Sequence, residues 1–381
     1  MIAPFSLALP GRILFGRGQA RQAAELAAGF GRRAFVVHGR DPSRAAWLLR
    51  DLATAGVEGA AFACPKEPDL PLLLGALEAA RAHDADLVLG LGGGAALDLA
   101  KAVAALAPGQ GDPLDHLEGV GQGLPLTAAP LPFLAVPTTA GTGSEATKNA
   151  VIDVPAYRRK VSLREDRMMA RLAIVDPALT DYCPRQVTLA SGLDALTQVI
   201  EPYLCSRANP ATDALVRAAI PAGLAALVRL MQGEDSGARD VMAWVSLSGG
   251  IALANAGLGA AHGLAGPIGG MTGAAHGAIC GTLLPEVLRA NAAALPGGAP
   301  VASRFEEVDA MLAAALDVQP GQGAMALKRW SRDQGLPSLA ELGLRPADHG
   351  AVATAAQAAS SMRANPVALS QDALLAILSA A

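Results

Sequence analysis

A chain of 381 residues, 52% hydrophobic and 17% charged, is long enough for two domains and too apolar to be disordered. A formal net charge of −4 with no long Lys/Arg run argues against a nucleic-acid partner. The four cysteines, Cys64, Cys183, Cys205 and Cys280, form neither a C-x-x-C pair nor a disulfide framework. They fit buried, reduced thiols in a cytoplasmic protein. The opening MIAPFSLALPGRILFGRG lacks the basic start and pure apolar run of a signal peptide.

In chain order, Arg33–His38 (RAFVVH) reads as a strand and Pro42–Ala55 as a helix. Gly59–Cys64 is a second strand and Leu70–His83 a second helix. Asp86–Leu91 is a third strand, running through three glycines into a helix that starts near Ala95. Pro132–Val136 is a further strand before a polar turn. Strand–helix alternation predicts a parallel sheet covered by helices on both faces. From about Thr188 the strand signals fade and Ala/Leu-rich helical stretches take over, so the boundary is placed near Pro184–Thr188. Residues 1–186 are expected to form an α/β domain and residues 187–381 an all-α domain. Val241–Pro285 holds no Asp, Glu, Lys or Arg, but its glycines, His262, Pro267 and His276 read as buried helices and not as a membrane span.

LVLGLGGGAALDLAKAVA places glycines at the end of a buried strand and the start of a helix. A helix N-terminus offers free N–H groups and a favourable dipole to an anion, and glycine lets a pyrophosphate come close. It matches neither G-x-G-x-x-G nor a P-loop, so a plain tight turn fits as well. Asp98 and Lys101 suit a surface pair or a cofactor cleft. The loop VPTTAGTGSEATKNA is rich in hydroxyls at a strand end, where function often sits.

Of six histidines, His262 and His276 fall in the charge-free helical region, and Asp194 sits in the apolar helix SGLDALTQVIEPYL. Buried groups of this kind need partners. One Asp and two His from separate helices suit a zinc or ferrous site with an open position, or else structurally satisfied polar residues.

ILFGRG at Ile13, GGGAALDLAK at Gly92, PTTAGTGSEAT at Pro137, SGLDALTQVIE at Ser191 and two His-Gly segments 14 residues apart resemble the iron-containing, group III alcohol dehydrogenase family. That family lies in the larger group with glycerol dehydrogenase and dehydroquinate synthase. The resemblance runs from about Phe5 to Val287. It implies a dinucleotide-binding α/β domain, a helical domain, and hydride transfer between NAD or NADP and an alcohol or aldehyde in the cleft between them. It implies that Gly93, Gly94 and Ala95 hold the pyrophosphate, that Asp98, Thr138, Thr139, Thr142, Asn149 and Lys160 line the cofactor, and that Asp194, His262 and His276 are catalytic ligands of Fe2+ or Zn2+. It also implies a homodimer or larger assembly.

The departures are informative. The family's fourth ligand, usually His, is Gln198 here, on the same helix face as Asp194, and an amide oxygen is a weaker ligand than imidazole. A histidine linked to proton relay is Gly266, and the family's GGGS is GGGA. Gly39, followed by Arg40, stands where an acid would repel a 2′-phosphate, which leans toward NADP, although Asp41 is adjacent. Gln198 and Gly266 leave open a metal-independent reductase resembling maleylacetate reductase. A binding protein without catalysis and a dehydroquinate-synthase-like lyase are further alternatives, the last matched less well by the motifs.

Overall fold

The computed structural model describes residues 4–381. The chain forms two compact units. One holds Ala8–Thr139 and Gly143–Asp181; the other holds Tyr182–Ala381, Ala140–Thr142 and the described N-terminal residues up to Leu7. Asp181–Tyr182 thus lies a few residues before the expected boundary, which falls at the start of a helix.

The first unit runs β1 (Ile13–Phe15), α1 (Ala23–Ala27), β2 (Arg33–His38), α2 (Ala46–Thr54), β3 (Glu58–Ala63), α3 (Leu70–Ala82), β4 (Leu87–Gly92), α4 (Gly94–Leu106), β5 (Phe133–Pro137), β6 (Asn149–Val154), β7 (Arg159–Arg164) and β8 (Leu172–Val175). Six strands make a parallel sheet in the order β1-β8-β5-β4-β2-β3. Its inner strands read as unbroken apolar runs because both faces are buried. Side-chain alternation splits them between two cores. Ala34, Val36, Leu87, Leu89 and Leu134 pack with Ala27, Leu48 and Leu52 of α1 and α2. Phe35, Val37, Val88 and Phe133 pack with Leu73, Leu77, Leu97 and Val103 of α3 and α4.

The expected strands and helices between Arg33 and Val136 are present, with a 3-10 turn (Pro42–Ala45) in place of the first turn of the expected helix. Asp41 makes that turn by accepting from Ser43 N–H. Not anticipated were β1, β8 and the antiparallel hairpin β6–β7. In β6, Ala150, Ile152 and Val154 are buried while Val151 is exposed, so an apolar outward residue hides the period-2 signal.

The second unit is helical throughout its regular structure, as expected: α5 (Arg185–Leu204), α6 (Pro210–Gln232), α7 (Ser236–Asn255), α8 (Ala260–Thr272), α9 (His276–Ala294), α10 (Ala302–Ala315), α11 (Gly323–Asp333), α12 (His349–Ala358) and α13 (Gln371–Ala380). The charge-free stretch supplies α7, α8 and the start of α9, and a bend of 97° separates α7 from α8. Its Val245, Leu264, Ile268 and Leu283 are buried. Among the described residues α6 is long and apolar enough to cross a membrane, as is the bent pair α7–α8 taken together, and half of the apolar stretch of α6 is buried within the fold. A capping box of Asn209 and Thr212 starts α6.

Glycine sets how closely α9 meets α5. A Cβ on Gly281 would lie 2.7 Å from Leu193 Cβ, and one on Gly277 2.5 Å from the Ala190 carbonyl oxygen and 3.0 Å from Asp194 Cβ. Such overpacking costs about 1–3 kcal/mol. Gly281→Ala should lower unfolding stability by that amount in urea. Gly350→Ala, at an exposed position of α12 with nothing near its Cβ, should instead add up to about 1 kcal/mol. Equal effects from the two would contradict the close-approach argument.

Candidate metal centre and nucleotide turn

Consecutive connections lead from β2 to β3 on one side and from β4 to β5 on the other, so the strand order reverses between β2 and β4 while all strands stay parallel. Ligands of open α/β sheets bind at the carboxyl ends of such strands. Gly39 follows β2, and Gly92–Gly93–Gly94 end β4 and open α4. A Cβ on Gly92 would lie 2.6 Å from Ala96 Cβ and 3.4 Å from Gly39 N, and one on Gly93 would lie 3.1 Å from Thr139 Oγ1. Gly93 caps α4 in an extended conformation with no side-chain cap, which leaves the first-turn amides of Gly94 and Ala95 for another acceptor. Thr138 N–H donates to the Gly92 carbonyl at 2.9 Å. Gly39, Gly93, Gly94, Ala95, Thr138 and Thr139 therefore meet at one end of the sheet.

Of the remaining expected cofactor residues, Asp98, Thr142 and Lys160 are engaged with other groups. Lys101 is only 1% exposed, so its ion pair with Asp98 at 3.9 Å lies beneath the surface and not on it. Its Nζ donates to Ser144 O (2.7 Å), Ser144 Oγ (3.1 Å), Thr147 Oγ1 (2.8 Å) and Asn149 O (2.8 Å). Asp98 accepts from Ser144 Oγ and from Val151 N–H at 2.9 Å. Burial pulls Lys101 down to about 8 and pushes Asp98 up. Burial also pushes neighbouring Glu145 up to about 7, against the pull of its own backbone N–H and Lys101. Asn149 keeps a buried Oδ1 with no hydrogen-bond partner. Lys160 is ion-paired with Glu67. Thr142 belongs to the helical unit, and its carbonyl accepts from Gln198 Nε2 at 2.6 Å. At the end of β2, Arg40 donates to the Pro65 carbonyl at 3.0 Å and Asp41 is used as a cap, so neither side chain is uncommitted.

In the helical unit, Asp194 from α5, His262 from α8 and His276 from α9 come together. With Cys280, one turn after His276, each offers a ligand atom within 4.8 Å of all the others. His262 Nε2 and His276 Nε2 lie 3.7 and 3.8 Å from Asp194 Oδ1. These separations exceed a hydrogen bond. Two ligands about 2.0–2.2 Å from one tetrahedral ion stand about 3.3–3.6 Å apart, close to what is seen. Asp194 Oδ1 and His262 Nε2 are buried with no hydrogen-bond partner, in side chains only 2% and 5% exposed. A buried orphan carboxylate oxygen is costly without a cation, so the residues present fit a divalent ion.

Glu201, two turns beyond Asp194 on α5, holds the cluster in place. Its Oε2 accepts from His262 Nδ1 at 2.6 Å and its Oε1 from Ala261 N–H at 2.7 Å. Nδ1 must donate to the carboxylate, so Nε2 is the atom left to face Asp194. Burial lowers the His262 pKa, but the Glu201 hydrogen bond and the charges of Glu201 and Asp194 outweigh it and raise it. Sequence reasoning missed Glu201, although its i+7 spacing from Asp194 on an apolar helix was readable. It also missed Cys280 as part of the cluster, although i+4 from His276 was equally readable. Gln198 lies on α5 one turn after Asp194; with Nε2 given to Thr142, only Oε1 remains to it as a ligand atom.

Comparison with known proteins follows this division. Residues 10–177 match the family model described as iron-containing alcohol dehydrogenase, and residues 188–381 match the Fe-containing alcohol dehydrogenase family, C-terminal. The second match carries the likeness past Val287, where the sequence motifs give out. Long-chain-alcohol dehydrogenase 1 of Geobacillus thermodenitrificans is 42% identical over 58% of this chain, a match spanning 56% of that relative, little more than half its length. Alcohol dehydrogenase 4 of Saccharomyces cerevisiae is 33% identical over 82% of this chain and 80% of its own. The crystal structure of a 1,3-propanediol oxidoreductase superposes with a TM-score of 0.88 at 28% identity, covering 99% of each chain. The protein is thus an oxidoreductase of the alcohol dehydrogenase kind. It belongs to the iron-containing alcohol dehydrogenase family.

Glu145 gives a pH signature. With its pKa raised to about 7, the folded protein holds a proton that the unfolded chain releases near 4.5. Its contribution to stability is full below 4.5 and is lost as pH rises through 7. Glu145→Gln cannot titrate, so its stability relative to the parent should climb between pH 5 and 8, by on the order of 2 kcal/mol. Paired denaturant melts check this; a difference that stays flat with pH contradicts it.

Proposed function

We propose that the protein is a nicotinamide-dependent alcohol dehydrogenase, working as an aldehyde reductase in reverse, whose substrate oxygen meets a divalent metal, Fe2+ or Zn2+, held by Asp194, His262 and His276. The observation that carries this reading is the pair of buried, unpartnered ligand atoms, Asp194 Oδ1 and His262 Nε2, facing each other across 3.7 Å.

When bound, the ion supplies Lewis acidity to the substrate oxygen. Glu201 fixes the His262 ring so that Nε2 is presented without rearrangement, the role an outer carboxylate plays toward a ligating imidazole. Gln198 stands beside Asp194 with Oε1 as a neutral fourth donor. The first-turn amides of α4 at Gly94 and Ala95, with Gly93 giving close access, would hold the pyrophosphate of the nicotinamide cofactor. Gly39, Asp98, Thr138, Thr139, Thr142, Asn149 and Lys160 shape its surroundings. A bound nicotinamide would supply the hydride acceptor in the oxidation direction, which leaves the hydroxyl proton to be taken up by the surroundings of the substrate oxygen. A Cβ at Gly266 would meet nothing within 4 Å, and that open space lets water take the proton where a relay imidazole is missing. Arg40, the residue that would favour a 2′-phosphate, already donates to the Pro65 carbonyl, which points to NAD over NADP. Initial rates with NADH and NADPH over a panel of aldehydes decide between them. A reducing, cytoplasmic setting accords with four cysteines that form no disulfide. A homodimer is the expected assembly, which sedimentation would check.

His276→Ala should lose both the divalent metal and turnover while keeping nicotinamide affinity within a few-fold of the parent. Glu201→Gln should weaken metal binding about 10–100-fold and lower turnover without abolishing it. Full activity of His276→Ala in metal-free buffer would overturn the metal reading in favour of a metal-independent reductase. Elemental analysis of the purified protein gives the same discrimination without a variant.

A further inference from the structure

Cys280 is fully buried on α9 and shares one face of that helix with His276, one turn away. Its Sγ lies 3.5 Å from His276 Nε2, and it completes the only cluster of four potential ligand atoms among the described residues. We infer that Cys280 is a fourth, thiolate ligand of the divalent ion, taking over the coordination that Gln198 is poorly equipped to give. The inference rests on the Asp194–His262–His276 reading and goes beyond it.

Three arguments carry it. The first is distance: sulfur at about 2.3 Å and nitrogen at about 2.0–2.1 Å from a tetrahedral ion stand about 3.5 Å apart. The observed separation of 3.5 Å matches. The second is local geometry: paired ligands at i and i+4 on one helix chelate a single ion, the spacing used by the two histidines of H-E-x-x-H. Here the pair is His276 and Cys280. The third is charge and donor strength. Gln198 spends its Nε2 on the Thr142 carbonyl and has only a neutral oxygen left. A cysteine gives up its proton on binding, so Asp194 and Cys280 together neutralise a divalent ion in a pocket where both side chains are out of water. The competing account is that Cys280 is simply a small apolar residue, since it also packs with Ile279, Leu283 and Leu264. A soft thiolate would shift metal preference toward zinc and cobalt and away from hard cations.

Cobalt(II) reports directly on sulfur ligation. The apoprotein should take up one cobalt and show a sulfur-to-cobalt charge-transfer band in the near ultraviolet. The band should persist in Cys205→Ser, whose thiol is buried elsewhere. It should vanish in Cys280→Ser and Cys280→Ala, each still binding cobalt with at least a tenfold higher Kd. Circular dichroism shows that the variants are folded, and the parent spectrum decides the matter even if they are not. Stoichiometric cobalt in the parent protein without the band would overturn the inference and leave the three-residue site standing. Failure of the parent to bind cobalt at all, indistinguishable from Asp194→Ala, would overturn the three-residue reading and this inference together.

Discussion

The absence of a side chain at Gly277 allows α9 to rest against α5 at the turn that carries Asp194, with a would-be Cβ only 3.0 Å from Asp194 Cβ. Everything in the candidate metal centre follows from that approach. His276 is the first residue of α9, so the distance between the two helices sets its distance to Asp194. Glu201 is on α5 as well, and through its bonds to the start of α8 it brings His262 to the same place. One helix thus supplies a ligand candidate and also steers another. The packing of the helical core and the shape of the site are a single problem, and a methyl group in the wrong spot disturbs both.

The α/β unit solves a different problem, that of holding a polar loop still. The loop after β5 has few apolar anchors, and Lys101 holds it from within through four oxygen acceptors. Asp98 supports the same loop from the same helix and ties it to β6. A buried cation with its donors satisfied is far more tolerable than a bare one. The result is a strand-end loop whose hydroxyls and amides are set before any ligand arrives.

What could be read from the sequence follows how local the signal is. Ala34–Val37 and Leu87–Gly92 are unbroken apolar runs, which only doubly covered strands require, and the glycine turn and the Asp194, His262 and His276 trio stood out by contrast with apolar surroundings. The hairpin β6–β7 escaped because Val151 faces outward and blurs the alternation. β1 spans only Ile13–Phe15, too short for any period to show. Lys101 looked like half of a surface pair because nothing local says that the loop at Ser144 folds back over it. Glu201 and Cys280 were visible as letters at helical spacings, but their significance depends on which helices meet. Thiols are compositionally ordinary in a core, so Cys280 carried no signal of its own.

The division into two units is not a division of the chain into two lengths. Ala140–Thr142 lies in the middle of the α/β sequence yet belongs with the helices, where a Cβ on Gly141 would stand 2.8 Å from Ser191 Cβ and Thr142 receives the Gln198 amide. A helical fragment cut at Tyr182 would lack these three residues. It would uncover the start of α5 and leave a buried amide without its acceptor, one turn from Asp194. The two halves therefore do not behave as interchangeable modules. Recombining either with a foreign partner requires a donor whose strand-end loop carries the same three-residue graft, and gene fusions that respect only the linear boundary should yield poorly folded protein.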